Sequence, residues 1–331
     1  MTRRVNLGLL IFLVVAFLTG WLAFAYGTAP SRWALVVHAV TGFGILVLVP
    51  WKSIVVRRSH RAGLGRVASL LLAFLVLASL AGGLLHSLGL PWWGPYTAME
   101  LHVGAAIAAV PLVAWHVLAR WVRPRPVDLS RRHLLRYAGA VGVAGAGYAV
   151  SEQLARLARL PGAERRFTGS YEVGSFEAGG LPVTSWLFDA VPALDAERWR
   201  LRVTWPGGAR DWTYAGLLAH HDHLRAVLDC TGGFWSEHDW TGVLLGRLLP
   251  ELPSLSIRVV SHTGYDRRLP HSDLSRVLLA TGVDGQPLAA GNGYPLRLVA
   301  PGRRGFWWVK WVSRIELEDL PAWWQLPFPL Q

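Results

Sequence analysis

Hydrophobic and polar positions divide the chain into two textures. Up to about residue 122, apolar residues come in long runs. Four of these, Val5–Tyr26, Trp33–Trp51, Val67–Leu90 and Met99–Val122, approach the ~20 residues that a bilayer core demands of a helix. Pro124-Arg125-Pro126 closes the fourth run. A Gly/Ala-rich apolar run, Tyr137–Val150, follows and is read as a fifth, short span or a linker helix. From about Arg165 the runs shorten and turn residues intervene. Trp199–Trp205, Leu255–Ser261, Leu296–Pro301 and Trp307–Leu317 read as strands, Ala215–His221 and Thr241–Leu249 as short helices. The expected fold is multi-domain: an all-α transmembrane helical bundle over residues 1–125, a joining segment over 126–160, and an α+β domain over 161–331.

Composition supports this division. The chain is 52% hydrophobic and 16% charged, too apolar for an ordinary soluble protein. Its net charge of +12 comes from arginines that punctuate the apolar runs. Arg3 and Arg4 precede the first run. Lys52, Arg57, Arg58, Arg61 and Arg66 separate the second from the third, and Arg120, Arg123, Arg125, Arg131, Arg132 and Arg136 follow the fourth. The stretches Gly27–Arg32 and Gly89–Met99 are nearly free of positive charge. This asymmetry is that of the positive-inside rule and not of a phosphate-binding face, so nucleic acid is excluded as a partner and the lipid bilayer is included. The N-terminus, the 52–66 loop and the segment after 120 are placed in the cytoplasm. Ser130-Arg131-Arg132-His133-Leu134-Leu135-Arg136, followed by a mildly apolar stretch, resembles a twin-arginine export signal. The alternative is a short cytoplasmic linker helix with ordinary topogenic arginines. On the export reading, everything after about Leu160 lies on the extracytoplasmic side of the cell membrane.

Histidine inside a membrane span is a functional hypothesis by default. His38, His86 and His102 fall at similar depth toward the outer face. His116 lies fourteen residues beyond His102, close to four helical turns, so the two rings share a face. That spacing resembles membrane cytochromes b, and Gly42, Gly44, Gly82, Gly83 and Gly104 would give a porphyrin room. One outer haem b is expected, because an inner one would need a partner for His116 and only His60 is offered. The other reading is that these histidines bond between helices or sit among headgroups.

Cys230 is the only cysteine, in a Gly-rich turn followed by Phe234-Trp235-Ser236-Glu237-His238-Asp239. It has no disulfide partner and lacks the company of a zinc site, which leaves a buried structural thiol, a nucleophile or a single thiolate ligand. The wider pattern resembles the molybdopterin domain of the sulfite oxidase family over residues 165–318. The elements are a Cys in a Gly-containing turn, Trp240-Thr241-Gly242-Val243, Ser261-His262-Thr263-Gly264-Tyr265, Asn292-Gly293-Tyr294-Pro295-Leu296-Arg297, and Val309-Lys310-Trp311 before a last strand. The resemblance implies that Cys230 ligates molybdenum, a soft thiolate suiting a metal already held by a dithiolene. It implies that Arg297 and Lys310 hold the cofactor phosphate. Asn292 matches the exported methionine sulfoxide reductase branch. Thr168, Tyr171 and Glu172 fall near that branch's N-terminal pterin-contacting segment, Trp308 and Val309 would offer backbone contacts, and Ser261 and His262 lie at the next position. The ordinary alternatives are a surface strand residue for Arg297 and core for Tyr171 and Trp308.

The departures bear on substrate. Sulfite oxidases follow their Cys with a Gly-Asn-Arg-Arg-like run, whose Arg helps bind an anion. Here Gly233-Phe234-Trp235-Ser236-Glu237 stands there, an aromatic and acidic rim that would repel sulfite. The chain, ending at Gln331, has no room for the dimerisation domain of eukaryotic sulfite oxidases. Tyr265, His238 and Asp239 are the candidates for substrate-facing donors and acid/base groups. His238 and Asp239 are otherwise a structural pair capping the helix that follows. The expected protein is an extracytoplasmic molybdenum oxidoreductase fused to a membrane haem module that exchanges electrons with quinone. Two other readings stay open: an anchor without haem served by a redox partner protein, and a cofactor-less module of the same fold.

Overall fold

The computed structural model describes residues 2–57, 64–90, 97–119, 125–177, 179–185, 189–250 and 255–326. His60, Arg58, Arg61, Arg120, Arg123 and Pro124, which figure in the expectations above, lie outside the described residues. The chain falls into two compact units, Met1–Phe24 with Ala29–Tyr171, and Ala25–Thr28 with Glu172–Gln331.

The first unit is helical: α1 (Thr2–Ala25), α2 (Ser31–Arg57), α3 (Leu64–Leu88), α4 (Ala98–Ala119) and α5 (Arg131–Leu157). Within α1 to α4, the segments Arg3–Ala25, Ser31–Ile54, Gly65–Leu88 and Ala98–Ala119 are long and apolar enough to cross a membrane. They match the four expected runs to within a few residues. Helices are the natural outcome for such runs, because in hydrocarbon every backbone N–H and C=O must bond within its own segment. Helices α3 and α4 pack closely where Gly82 and Gly83 meet Ala98 and His102, small residues letting the two backbones approach. Helix α5 runs over 27 residues, well beyond the apolar run Tyr137–Val150, and packs on α2. It is not among the four helices apolar enough to span. Arg3 at the start of α1 pairs with Asp128 at 2.6 Å, which brings the N-terminus and the segment before α5 to one end of this unit.

The second unit is built on two sheets. Its strands are β1 (Tyr171–Glu172, the first residue being the last of the helical unit), β2 (Arg200–Trp205), β3 (Gly208–Thr213), β4 (Asp222–Asp229), β5 (Phe234–Leu244), β6 (Ser256–Ser261), β7 (Asp266–Pro270), β8 (Leu278–Val283), β9 (Gln286–Pro287), β10 (Arg297–Val299) and β11 (Val312–Glu318), with one short α-helix among the described residues, α6 (Tyr214–Leu218). One sheet has the order β1-β5-β8-β10, with β4 also on β5 and β9 on β8. The other runs β3-β2-β11-β6-β7. Inward-facing residues of both sheets, among them Leu201, Val203, Trp240, Ile257, Leu279, Leu298 and Ile315, form one core. This is the expected α+β architecture.

Two expected elements differ. Thr241–Leu249 is not a helix: β5 runs through Leu244, and only a 3-10 turn follows at Leu245–Arg247. Aromatic and β-branched residues at Trp235, Trp240, Thr241 and Val243 favour the strand, and alternating burial along Phe234–Thr241 shows its period of two. Gly242 lets β5 and β8 meet at a register shift, since a Cβ there would run into the Leu279 carbonyl oxygen. The block Trp307–Leu317 is a strand only from Val312; Gly305–Trp307 is a 3-10 turn. That turn carries the chain past Cys230.

Candidate active site

Cys230 stands just after β4, where the hairpin to β5 turns. Its N–H donates to the Phe234 carbonyl at 2.8 Å and its own carbonyl accepts from Gly233 N at 3.2 Å. The thiol is nearly buried, with the Gly232 N–H at 3.4 Å and Thr184 Oγ1 at 3.6 Å from Sγ. Thr184 leads to Lys310, whose Nζ donates to the Thr184 carbonyl at 2.6 Å and to the Gly291 carbonyl at 2.5 Å. Arg297 opens β10 and donates from Nη1 to the Asn292 carbonyl at 3.0 Å. Its guanidinium carbon stands 5.5 Å from the Trp240 ring centroid and 5.8 Å from that of Trp308. Residues far apart in the sequence, Thr184, Cys230, Asn292, Arg297, Trp308 and Lys310, thus form one cluster.

Its electrostatics are those of a cationic cluster. Burial lowers the Arg297 pKa to about 10, with Cys230 pulling the other way. Lys310 is lowered to about 7, first by burial and then by the Arg297 charge, against the pull of Cys230 and Asp189. Neither cation forms an ion pair with a carboxylate among the described residues. Asn292 donates from Nδ2 to the Leu181 carbonyl at 3.3 Å, while its buried Oδ1 and the buried Arg297 Nε have no hydrogen-bond partner among the described residues. Buried polar atoms without partners are rare in native proteins and call for a ligand or water.

Several expected site residues are placed elsewhere. Tyr265 is buried and donates its hydroxyl to the Phe306 carbonyl. His238 is wholly buried, with Nε2 2.6 Å from Ser236 Oγ and Nδ1 2.5 Å from Asp284 Oδ2, both ring nitrogens committed within the protein. Asp239 points to the opposite face of β5, where it pairs with exposed Arg225 at 2.9 Å. His238 and Asp239 are therefore neither a pair nor a helix cap, since no helix follows. The run Phe234–Glu237 is strand and not a rim, with Phe234 and Ser236 turned inward. Val309 has both backbone groups engaged, N–H to Trp307 and C=O to Leu298, and the Trp308 N–H donates to Gly305. Ser261 bonds Thr263 through its hydroxyl, and His262 is exposed with its N–H on the Trp311 carbonyl. Thr168 and Tyr171 fall in the helical unit, where the Tyr171 hydroxyl donates to the His86 carbonyl. Glu172 accepts from the Ser175 N–H at 2.8 Å, which lowers its pKa.

Two residues of this neighbourhood escaped the sequence reading. Arg304 and Asp229 form a buried ion pair at 2.5 Å against the Cys230 carbonyl. A signal existed in Arg303-Arg304, two adjacent charges inside an apolar block.

In the helical unit, the His38 and His102 rings meet edge to face with centroids 5.5 Å apart. His38 Nδ1 is 2.8 Å from the Ala16 carbonyl oxygen and His102 Nδ1 is 2.7 Å from that of Ser79. A carbonyl only accepts, so both Nδ1 atoms carry hydrogen and Nε2 holds the lone pair of each neutral ring. His86 uses Nε2 itself, on the Gly169 carbonyl at 2.9 Å, and His116 Nδ1 stands 3.5 Å from Ser69 Oγ.

Comparison with known proteins agrees with the α+β unit. Residues 188–324 match the family model described as the oxidoreductase molybdopterin binding domain, so that stretch carries a molybdopterin-binding oxidoreductase domain. Among relatives, the protein-methionine-sulfoxide reductase catalytic subunit MsrP of Xanthomonas campestris pv. campestris is 29% identical over 209 residues, 54% of this chain and 61% of that protein. Mitochondrial sulfite oxidase of Rattus norvegicus is 42% identical over 167 residues, 39% of this chain and 31% of that protein. The chain thus spans less than two thirds of either relative. The crystal structure of the sulfane dehydrogenase SoxCD from Paracoccus pantotrophus aligns over 39% of this chain and 40% of its own, at 25% identity and a TM-score of 0.37.

The Cys230 cluster fits a molybdopterin on its own chemistry. It offers one thiol donor, two cations with no carboxylate in ion-pair contact and an Asn292 oxygen without a hydrogen-bond partner, all among the described residues.

Proposed function

We propose that the protein is a membrane-anchored molybdenum oxidoreductase whose catalytic unit faces the extracytoplasmic side and exchanges electrons with quinone through a b-type haem. One observation carries the cofactor assignment: Arg297 and Lys310 stand beside the Cys230 thiol, taken out of water, with no carboxylate in ion-pair contact among the described residues. Buried charge is retained only where an opposite charge meets it, and a terminal phosphate supplies one. Cys230 would bind the metal, Arg297 and Lys310 the phosphate, and Asn292 a pterin donor group. When bound, the cofactor supplies oxo transfer and the accompanying two electrons. The chain's part is to fix the thiol, to exclude water with Trp240 and Trp308, and to hold the phosphate end rigidly.

A sulfoxide is favoured over sulfite as substrate. The run after Cys230 lacks the arginine that an anionic substrate would need, and a relative is named for methionine sulfoxide reduction. For the membrane half, His38 and His102 are the proposed haem ligands. Each is oriented by an Nδ1–H bond to a backbone carbonyl, the usual outer-shell arrangement of a ligating histidine, and each keeps Nε2 available. The twin-arginine-like segment and the arginine distribution support the sidedness.

Metal analysis and an absorption spectrum on one purified sample test the whole. Molybdenum together with reducible b-type bands is the expected result. Molybdenum without those bands removes the haem and leaves an anchor, and no molybdenum removes the cofactor assignment.

A further inference from the structure

Arg304 lies against the cysteine turn in a way that ordinary packing does not require. Its Nη1 donates to Asp229 Oδ1 at 2.5 Å and its Nη2 to the Cys230 carbonyl at 3.2 Å. The two side chains are only 4% and 7% exposed. The next residue, Gly305, comes so near that a Cβ there would stand 3.0 Å from Cys230 Cα and 3.5 Å from Sγ. One dipeptide, Arg304-Gly305, therefore meets the cysteine at its carbonyl, its Cα and its sulfur. The backbone of Arg304 also bridges to Asp229.

We infer that Arg304, paired with Asp229, is a positioning residue that fixes the orientation of the Cys230 thiolate toward molybdenum. The inference rests on the reading of Cys230 as the metal's protein ligand. An arginine suits the task because its planar fork reaches two acceptors in one fixed geometry, which a lysine ammonium does not reproduce. Burial makes the arrangement stiff, since separating two desolvated opposite charges is costly. An ion pair that only tied two segments together would need the Asp229 bond alone. The second bond, to the Cys230 carbonyl, transmits that tie to the ligand, as outer-shell partners of metal ligands do.

The test uses the full chain purified with its cofactor, in three variants. Arg304→Lys keeps the charge and a bond to Asp229 but cannot span both acceptors. The double variant Asp229→Asn with Arg304→Met removes both charges and leaves no lone buried ion. Cys230→Ser removes the ligand. The readouts are molybdenum content, thermal midpoint, the thiolate-to-metal charge-transfer absorption, and the EPR spectrum of partially reduced protein.

Arg304→Lys and the double variant are expected to keep molybdenum, because Cys230, Arg297 and Lys310 remain. Their charge-transfer band should move, one EPR species should become a mixture, and turnover should fall by about 10–100-fold. An unchanged band and EPR spectrum in the folded fraction of either variant, whatever its midpoint, overturns the positioning role and leaves a structural ion pair. Cys230→Ser separates the two levels. If it keeps the wild-type spectrum, the ligand assignment itself has failed; if the band disappears there, a failure in the Arg304 variants belongs to this inference alone.

Discussion

Arg297 and Arg304 are equally buried, each about 3% exposed, and both stand near Cys230. Arg304 has a carboxylate, Asp229, at 2.5 Å. Arg297 has a backbone carbonyl, two indole rings and no carboxylate among the described residues. Other arginines of the same unit follow Arg304: Arg268 pairs with Glu318 at 2.5 Å, Arg258 with Asp266 and Glu316, and Arg303 with Asp273. The fold supplies acids where charge serves the fold. No acid pairs with Arg297 or Lys310 among the described residues, although Asp189 acts on Lys310 from beyond ion-pair distance, and the cofactor phosphate is the proposed counter-charge. The lack of a paired acid does not by itself mark a site, since buried Arg267 also has none among the described residues and lies on the Phe306 and Trp307 rings; Arg297 and Lys310 differ in standing at Cys230.

The most forceful way to break the comparison is to remove each guanidinium from cofactor-free protein. Arg304→Met takes the guanidinium from the buried Asp229 carboxylate, and urea unfolding of the full chain in detergent should show a loss of about 3–5 kcal/mol. Arg297→Met strands no charge, only the Asn292 carbonyl. It removes a desolvated charge along with one hydrogen bond, and the same measurement should show a loss below about 1 kcal/mol, or a gain. Molybdenum retention should reverse the order, with Arg297→Met losing it and a stability-matched control keeping it. Equal destabilisation by the two variants would mean that Arg297 has an internal counter-charge after all.

Lys310 sharpens the same point through pH. Its folded pKa of about 7 lies below the ordinary lysine value of 10.5. Between those values the unfolded chain binds a proton that the empty folded site has released. The stability of the cofactor-free protein should therefore rise with pH across the window from about 7 to 10.5 and gain nothing below it. An anion reverses the preference, because it binds the protonated form. Inorganic pyrophosphate, as a probe of the phosphate end, should lose affinity by about tenfold per pH unit above 7. Lys310→Met should flatten that dependence, beyond the probe's own ionisation. A slope that survives in Lys310→Met assigns the titration to another group.

How much of this was legible in the sequence depends on how far apart the partners are. The four apolar helices needed only run length. Cys230, Asn292, Arg297 and Lys310 came from motif blocks that carry their own spacing, and the structure draws those blocks together. Short apolar runs mislead: Thr241–Leu249 reads as a helix, whereas pairing of Val243 and Leu244 with β8 makes its start a strand. Arg304 was missed because Asp229 lies 75 residues earlier, and no local pattern announces a pair at that separation. Tyr265 looked available as a phenol beside a glycine, but its hydroxyl is spent on the Phe306 carbonyl.

His238 and Asp239 give the smallest effect and a clean test of the strand geometry. As sequence neighbours they suggested a joint acid/base role, whereas β5 sends them to opposite faces. Asp239 meets Arg225 in solvent, with the side chains 49% and 63% exposed, and that arginine holds its carboxyl below the usual carboxylate range. Such exposed pairs contribute little to stability, because water screens them and ordering two side chains offsets the attraction. Asp239→Asn should therefore leave the thermal midpoint, molybdenum content and turnover at wild-type values. The corresponding change across the strand, Asp284→Asn, weakens the buried contact to His238 Nδ1 and should lower the midpoint clearly. A loss of turnover in Asp239→Asn with its midpoint intact would restore that carboxylate to the chemistry. It would also mean that the face of β5 bearing Arg225 looks onto a substrate.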